Sequence, residues 1–359
     1  MKIPDSPKIE SQSWYCHLPW LLHLCRVPKF LVIQTAFIGD VVLATCILEK
    51  LHQAFPEDSI DLLLRKGNEA LFEGHPFIHE ILIWDKSRNK QLNLLRVMGA
   101  VRKRKYDKVI NVQRFAATGL ITAFSGARET FGFDKNPFSF LFSTIVKHLV
   151  DSGGAGIHET ARDLSLIRQF TDDREVKPRL YPTITDHQRV EPYKSRPYIT
   201  ISPASVWLTK QYPPDKWISF IKGIPKGFQV YLLGGPADLA ICEKIANSSA
   251  SSQTSILSGK LSFLQSAALM KDAVMNYVND SAPMHFASAV NAPVTAVYCS
   301  TIPAFGFWPL SDVQFIVQTS TKLDCRPCGL HGFKACPRGH FDCGFGIADE
   351  QLLLSLPRE

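Results

Sequence analysis

Short apolar runs alternate with amphipathic stretches along most of the chain, and this alternation predicts strands followed by helices. In the first half, buried parallel strands are predicted over 30–33, 60–64, 81–84 and 108–112, with one more inside 126–134. Helices are predicted directly after Asp40, near 68–72, over 89–104 and over 158–170. The first half is therefore expected to form a parallel α/β sheet.

The second half repeats the same alternation. Strands are predicted over 198–202, 228–233, 255–257, 273–278 and 294–298, and helices over 214–222, 237–246, 262–270 and 283–290. A last helix, over 348–356, is expected to pack back on the first domain. Two successive sets of strands and helices predict an α/β fold with two doubly wound, Rossmann-like domains that face each other across a cleft.

A polar, aperiodic stretch punctuated by Pro178, Pro182, Pro192 and Pro197 separates the halves and predicts a linker. The expected units are an N-terminal extension over 1–28, a first domain over 29–177, the linker over 178–197, a second domain over 198–345 with a cysteine-rich tail over 325–343, and a C-terminal helix over 346–359. No function is assigned to 1–28. An interfacial anchor and a start codon placed too early are both open there.

Composition places the chain among ordinary globular proteins, with 359 residues, 45% of them hydrophobic and 20% charged. The formal charge of +7 comes without lysine tracts, so no nucleic-acid partner is predicted, whereas acidic small ligands or an anionic membrane surface would suit it. Scattered cysteines in apolar contexts fit a reducing compartment. The dinucleotide motif G-x-G-x-x-G, the Walker loop and the metal-holding Asp-x-Asp of sugar transferases are missing from the sequence.

The first candidate site is the turn over 35–40, which joins the first strand to the first helix and ends in Gly39-Asp40. In an open α/β sheet this turn faces the ligand crevice. Gly39 is expected to let the backbone turn sharply or approach a ligand, and Asp40 is expected at the cap position of the helix. Asp40 is then either an N-cap alone or a functional carboxylate aimed at the crevice.

Two more strand-to-helix turns carry small polar residues in the second half. One holds Ser202, Ser205, Thr209 and Lys210, whose hydroxyl and ammonium groups can bind phosphate oxygens; an ordinary polar loop is the alternative. The other runs from Asn279 to His285. There Asp280 or Ser281 either caps the helix or helps its N-terminus to bind a diphosphate, and His285 is either a core histidine or a ligand-binding one.

Basic residues and cysteines form two further clusters. Arg102, Lys103 and Arg104, followed by Lys105, end a predicted helix, where they either complement the helix dipole or form a cationic patch for an anionic lipid or glycan. Cys325, Cys328, Cys336 and Cys343 crowd near the C-terminus and either hold a structural zinc or remain as free or disulfide-linked thiols. A structural role is expected for this tail in each case.

The chain resembles glycosyltransferase family 9, the ADP-heptose:lipopolysaccharide heptosyltransferases. Five separated segments carry the resemblance in the family's order: IQTAFIGDVVLAT, SPASVWLTKQYPPDKW, YLLGGPAD, LSGKLSFLQSAALM and VNDSAPMHFASAVNAPVTAVY. The tail CRPCGLHGFKACPRGHFDCG looks like that of the heptosyltransferase II type.

The resemblance implies a two-domain GT-B fold and an inverting transfer that needs neither a catalytic metal nor a cofactor. It implies that Asp40 is the general base and Lys210 the residue that neutralises the departing diphosphate. The donor-binding set it implies is Ser202, Ser205, Thr209, Lys210, Gly234, Gly235, Asp280, Ser281, Ala282 and His285. Gly39, Arg102, Lys103 and Arg104 are expected on the acceptor side.

The expected reaction moves heptose from ADP-L-glycero-D-manno-heptose to the inner core of lipopolysaccharide, with a lipid A–Kdo–heptose acceptor. The expected location is the cytoplasm, with peripheral contact at the inner membrane. Ala282 stands where the family usually has glycine, and Cys299-Ser300-Thr301 replaces Gly-Pro/Ser-Thr, so the identity of the sugar nucleotide is in question. A family member with another sugar or acceptor, a sugar-nucleotide epimerase and a non-catalytic glycan-assembly protein are the alternatives.

Overall fold

The structure, a computed structural model, describes residues 27–150 and 156–357, so nearly all of the N-terminal extension lies outside the described residues. Two six-stranded sheets form its framework, and every pairing between neighbouring strands is parallel. The predicted fold class, α/β with two doubly wound sheets, is confirmed. Across the described ranges, no helix is both long enough and apolar enough to span a bilayer.

The first sheet has the strand order β3-β2-β1-β4-β5-β6. Its strands are β1 (Lys29–Ile33), β2 (Ser59–Arg65), β3 (Ile78–Trp84), β4 (Lys108–Asn111), β5 (Glu129–Phe133) and β6 (Thr144–Val146). The helices of this half are α1 (Ile38–Ala54), α2 (Lys90–Arg104), α3 (Ala116–Ala123) and α4 (Glu159–Ser165), and α5 (Ile184–Val190) follows them. The order reverses between β1 and β4, which creates a crevice outside the carboxyl ends of these two strands.

The second sheet repeats this plan with the order β12-β11-β10-β7-β8-β9. Its strands are β7 (Tyr198–Ser202), β8 (Gln229–Leu232), β9 (Thr254–Ile256), β10 (Met275–Asn279), β11 (Val294–Tyr298) and β12 (Gln314–Gln318). Its helices are α6 (Pro214–Gly223), α7 (Leu239–Ser249), α8 (Phe263–Lys271), α9 (Ala282–Ala289), α10 (Asp342–Phe345) and α11 (Asp349–Leu353). Here the order reverses between β7 and β10, so the loops after both strands meet a second crevice.

Helix α1 joins the two halves. Its residues 41–51 are all buried, because the helix packs on its own sheet, on α4 and on α9 of the second half. Two buried charged side chains on this helix have partners. Glu49 accepts a hydrogen bond of 2.9 Å from the Tyr181 hydroxyl, and Lys50 pairs with Asp172. One contiguous core therefore includes residues of both halves and fixes α1 against α9.

Some expectations about elements were wrong. No helix was predicted within the linker over 178–197, but it contains α5, which Thr183 and Asp186 start with a capping box. The last helix, α11, packs on the second domain and not on the first: Leu352 and Leu356 are buried in the second domain's own core, and the Leu352 carbonyl accepts a bond of 3.2 Å from the Tyr277 hydroxyl. Helix α3 and strands β6 and β12 were not predicted.

Candidate active site in the cleft

Asp40 lies within the first turn of α1, not at its cap. The cap residue is Phe37, which has an extended backbone, and no side chain of the described residues caps this helix end. The helix therefore starts three residues earlier than the sequence suggested, because Ile38 and Gly39 already adopt helical geometry. The first amide groups of α1 and the Asp40 carboxylate share the crevice beside β1.

The surroundings of Asp40 raise the pKa of its carboxyl towards the range of a base that works near neutral pH. The pKa of the Asp40 carboxyl is raised from 3.8 to about 6, first by burial and then by the Glu159 carboxylate, while backbone hydrogen bonds and Lys210 act in the opposite direction. Glu159 belongs to α4, whereas Lys210 comes from the second half of the chain. At pH 7 Asp40 is mostly ionised, and it still binds a proton far more readily than an exposed aspartate.

Two acidic side chains on α4 stand behind Asp40. Glu159 pairs with Arg162, and Asp163 is completely buried with both carboxyl oxygens lacking a partner among the described residues. Burial, with Glu159 as a further cause, raises the pKa of Asp163 well above its usual value. Sequence reasoning missed this pair, since α4 had only the pattern of an ordinary amphipathic helix.

Gly39 provides a close contact between two helices. A Cβ atom built on it would lie 3.1 Å from Cδ2 of His285 and 3.6 Å from Cα of Ala282, both on α9. The expected sharp turn at Gly39 is wrong, since its backbone is helical and its open side faces α9, whereas its place on the acceptor side stays a prediction. Its small size lets the N-terminal ends of α1 and α9 meet.

His285 is a core histidine at this contact. Its side chain is 5% exposed, packs near the Phe307 ring, and has no partner for Nδ1 in the part of the chain that the structure describes. Burial lowers the pKa of His285 to about 3, with smaller effects from His158 and Lys210. The imidazole is therefore neutral, and the structure places it in the contact between the helices.

Lys210 and Asp280 form an ion pair at the second crevice. The Lys210 ammonium lies 2.7 Å from Oδ2 of Asp280, and both side chains are largely buried. Thr301 donates a hydrogen bond of 2.6 Å to the same oxygen. In the structure the Asp280 carboxylate binds Lys210, and a carboxylate alone would repel a diphosphate, so the place of Asp280 in a diphosphate-binding turn stays a prediction that depends on this pairing.

The N-terminus of α9 opens next to this ion pair. Ser281 occupies the cap position, but within the described residues no side chain accepts from the first amides of the helix; its hydroxyl bonds the Asn279 carbonyl at 3.4 Å. Ala282, the first residue of the helix, can donate its amide, whereas Pro283 after it has none. A helix end of this kind favours anionic ligands.

The hydroxyl residues after β7 have separate roles. Thr209 is buried, and its Oγ1 accepts bonds of 3.0 Å from the Ser300 hydroxyl and 2.8 Å from the Phe333 amide. Ser202 is also buried, and its hydroxyl has no partner among the described residues. The Ser205 carbonyl accepts from Gln211 at 2.6 Å. The Thr209 hydroxyl thus holds two neighbouring loops together, since Ser300 and Phe333 belong to different loops.

Gly234 and Gly235 end β8 at the same edge of the second sheet. The Gly235 amide donates to Asp238 at 2.8 Å, and its carbonyl accepts from the Ser258 hydroxyl at 2.7 Å. A Cβ on Gly234 would approach Cβ of Asp238 to 2.8 Å. The glycine is required because the turn folds tightly back on itself.

The structure does not bring Arg102, Lys103 and Arg104 to Asp40. These residues end α2, which returns from the carboxyl end of β3 to the start of β4. They therefore lie at the amino ends of the strands, whereas Asp40 lies at the carboxyl ends. Arg104 pairs with Glu80 there. A hydroxyl that reacts at Asp40 is therefore distant from these side chains, and their contact with another part of the acceptor stays a prediction.

A different basic cluster surrounds the exposed Phe37 beside Asp40. The Arg65 guanidinium lies 5.3 Å from the centre of the Phe37 ring, and Lys86 donates to the Thr35 carbonyl at 2.8 Å. Burial, then Arg65 and Lys90, lower the pKa of Lys86 to about 8. Sequence reasoning missed this cluster, because each residue follows a different strand and no local motif joins them.

The four tail cysteines are neighbours whose charges act on one another, but their sulfur atoms are not grouped as closely as zinc ligands are. A tetrahedral zinc site has Zn–S bonds of about 2.3 Å, which brings its sulfur atoms close together. Among the described residues, one group of three or more potential ligand atoms lies within 4.8 Å, and it consists of Asp61, His79 and Glu80. Cys343 is buried in the second core, and Cys325 lies 3.7 Å from Nε2 of His340. A structural zinc at these thiols stays a prediction.

Comparison with known proteins identifies relatives of this two-sheet arrangement. The model of glycosyltransferase family 9 (heptosyltransferase) matches residues 94–330. Lipopolysaccharide heptosyltransferase 3 of Escherichia coli K12 is 27% identical over 80% of this chain and 88% of its own, and lipopolysaccharide heptosyltransferase 2 of the same strain is 22% identical over 77% and 84%. The structure of E. coli ADP-heptose lps heptosyltransferase II superposes with a TM-score of 0.73 at 20% identity, over 91% of this chain and 97% of that one.

Proposed function

The chain belongs to glycosyltransferase family 9, and from that membership we propose that it transfers heptose from ADP-L-glycero-D-manno-heptose to the inner core of lipopolysaccharide, with inversion and without a metal. The observation that carries the proposal is the placement of Asp40 on one half and the Lys210–Asp280 ion pair on the other, close enough for Lys210 to lower the pKa of Asp40. This is the arrangement that a direct displacement requires, with a base on the acceptor side and a cation on the donor side.

Asp40 takes the proton of the acceptor hydroxyl as that oxygen attacks the anomeric carbon. With a pKa of about 6, its carboxylate is ionised at neutral pH and still basic enough to remove the proton in the transition state. The hydroxyl approaches from the half that holds α1, whereas the diphosphate leaves towards the half that holds α9. Attack opposite the leaving group inverts the anomeric carbon.

The leaving diphosphate is stabilised by groups of the protein itself. The N-terminus of α9 offers the Ala282 amide and the positive end of its dipole, and Ser281 adds a hydroxyl. Lys210 is held at this place by Asp280 and supplies a full positive charge. These groups act where a divalent cation acts in metal-dependent transferases, and this supports the metal-independent assignment.

The acceptor is proposed to be an anionic, lipid-linked core oligosaccharide, lipid A–Kdo–heptose. The basic cluster of Arg65 and Lys86 around Phe37 suits the carboxylates and phosphates of such a molecule. The matched relatives bear the names of heptosyltransferases 2 and 3, at 22% and 27% identity, so the acceptor position is the finer part of the proposal.

We also propose a cytoplasmic location with peripheral contact at the inner membrane. Phe140, Leu141, Ile145 and Leu149 are exposed around the edge strand β6, and Lys147 lies among them. Apolar side chains with an adjacent cation suit the interface of an anionic bilayer. A lipid-linked acceptor would then reach the cleft from that side.

The experiment that tests the proposal is ADP release from ADP-heptose, with and without heptose-poor lipopolysaccharide, in the presence of EDTA. Release that depends on acceptor is the expected result. Release without acceptor would favour an epimerase or hydrolase, and loss of release in EDTA would contradict the metal-independent assignment.

A further inference from the structure

Part of the cysteine-rich tail runs directly along the donor-side loops. We call residues 325–333 the tail loop. The Phe333 amide donates to Oγ1 of Thr209 at 2.8 Å, and the Thr209 amide donates to the Phe333 carbonyl at 3.1 Å. The Cys328 amide donates to the Ser300 carbonyl at 2.9 Å. The tail loop is therefore bonded to the loops after both β7 and β11.

The Arg326 side chain binds the loop that follows β11. Its guanidinium donates to the carbonyls of Cys299 at 2.7 Å, Thr301 at 2.8 Å and Tyr298 at 3.3 Å. Thr301 in turn donates to Asp280, the partner of Lys210. A continuous set of hydrogen bonds thus connects Arg326 to the ion pair at the donor site.

Gly332 allows the tail loop to approach the lysine. A Cβ atom at this position would lie 2.8 Å from Oγ1 of Thr209, 3.1 Å from Cγ of Lys210 and 3.2 Å from Oγ of Ser300. Its φ of +74° also lies in the left-handed region that favours glycine. Both facts indicate that the backbone at 332 is pressed against the donor-side loops.

His331, the residue before this contact, is exposed and lies close enough to Lys210, Asp280 and Arg114 for their charges to act on it. Partial desolvation of its imidazole lowers its pKa, as do the neighbouring charges of Lys210 and of Arg114 from the first half; Asp280 raises it. Phe333 and Leu330 on either side are exposed. Charges from both halves therefore act on His331, and the contact of Gly332 with Lys210 brings its backbone close to the ion pair.

We propose that His331 is a further substrate-binding residue, which donates a hydrogen bond to the diphosphate of the nucleoside-diphosphate donor, and that the tail loop positions it together with Lys210. The inference rests on the proposed function. A departing diphosphate gains negative charge and is stabilised by hydrogen-bond donors. The charge of Lys210 is partly neutralised by Asp280, and Pro283 removes one amide from the α9 terminus, so a further hydrogen-bond donor is needed. A neutral imidazole has one N–H to offer, so it can contribute in either charge state.

The test measures binding of ADP and of adenosine to the full chain by titration calorimetry. His331→Ala should weaken ADP binding about tenfold, the usual effect of losing a hydrogen bond to a charged group, and leave adenosine binding unchanged. His340→Ala is the matched control, because His340 belongs to the same tail but contacts Cys325 and Asp342. It should bind ADP as the wild type does.

A second pair of variants tests the positioning part. Gly332→Ala should displace the tail loop from Lys210 and lower both ADP affinity and turnover. Gly339→Ala has a similar φ of +78° but open space around the added Cβ, so it separates backbone strain from the lost contact. If the wild type binds ADP and His331→Ala binds it with the same affinity, the inference about His331 is overturned and the proposed function is not. Failure of the wild type to bind ADP would overturn the proposed donor as well.

Discussion

The Lys210 ammonium lies 2.7 Å from Oδ2 of Asp280, and this contact assigns different roles to two residues that the sequence had grouped together. Both were expected to face the donor phosphates. In the structure Asp280 neutralises part of the lysine charge and fixes its position, with Thr301 bonded to the same oxygen. An ammonium held in this way needs no reorganisation when a diphosphate departs beside it.

Replacing the lysine should impair chemistry more than folding. Lys210→Ala should lower kcat about 10²-fold or more, because the charge that stabilises the leaving group is lost. Lys210→Arg keeps the charge but not the compact geometry and should recover only part of the rate. Steady-state kinetics with saturating ADP-heptose measures both. A kcat of Lys210→Ala near the wild-type value would show that the lysine is a structural partner of Asp280 alone.

The acidic limb of the pH profile should report Asp40. Since the pKa of this carboxyl is raised to about 6, kcat/KM should fall as the pH drops through about 6, where the base becomes protonated. Glu159→Gln removes a negative neighbour and should move the midpoint to lower pH, because Glu159 raises the pKa of Asp40. Glu175→Gln, a change of the same kind on an exposed residue, serves as the control. A midpoint that stays fixed in Glu159→Gln would refute the coupling.

Two glycine variants test the contact between α1 and α9. Gly39→Ala places a methyl group 3.1 Å from His285 and should reduce transfer, because the two helix ends must separate. Gly99→Ala in α2 meets no atom within 4 Å and should raise the free energy of unfolding by about 0.5–1 kcal/mol, the gain expected from helix propensity. Chemical denaturation and activity measured together distinguish the two sites. Full activity in Gly39→Ala would mean that the contact has no part in catalysis.

The placement of α11 can be tested by stability. Leu352 is buried in the second domain, so Leu352→Ala should lower the free energy of unfolding by about 2–4 kcal/mol. Leu354 lies on the exposed side of the same segment, and Leu354→Ala should change it by less than about 0.5 kcal/mol. Equal effects of the two substitutions would contradict the observed packing.

The strand-to-helix alternation was sufficient to predict the fold and the turns at the carboxyl ends of β1, β7 and β10. Those turns hold Asp40, Lys210 and Asp280, because a doubly wound sheet places its switch-point loops in one crevice. A local pattern could not show where the last helix packs. Nor could it show that Arg104 lies at the amino ends of the strands, away from Asp40. The place of the last helix and that of Arg104 both follow from the course of the whole chain.

Long-range contacts explain the remaining differences. Phe333 meets Thr209 from 124 residues away, and the basic cluster beside Phe37 combines residues that follow separate strands. The helix start before Asp40 was missed for a local reason, because Phe37-Ile38-Gly39 carries no capping signal. The contact between Gly39 and His285 joins residues far apart in the sequence, so no local pattern could show it.

The most direct test of the central claim is heptose transfer to heptose-poor lipopolysaccharide by Asp40→Asn, measured in EDTA beside the wild type. The amide keeps the shape of the side chain but cannot accept the proton, so turnover should fall by about 10²-fold or more. ADP affinity should stay within about twofold, because the donor groups lie on the other half. Turnover within a few-fold of the wild type would contradict the assignment of Asp40 as the base.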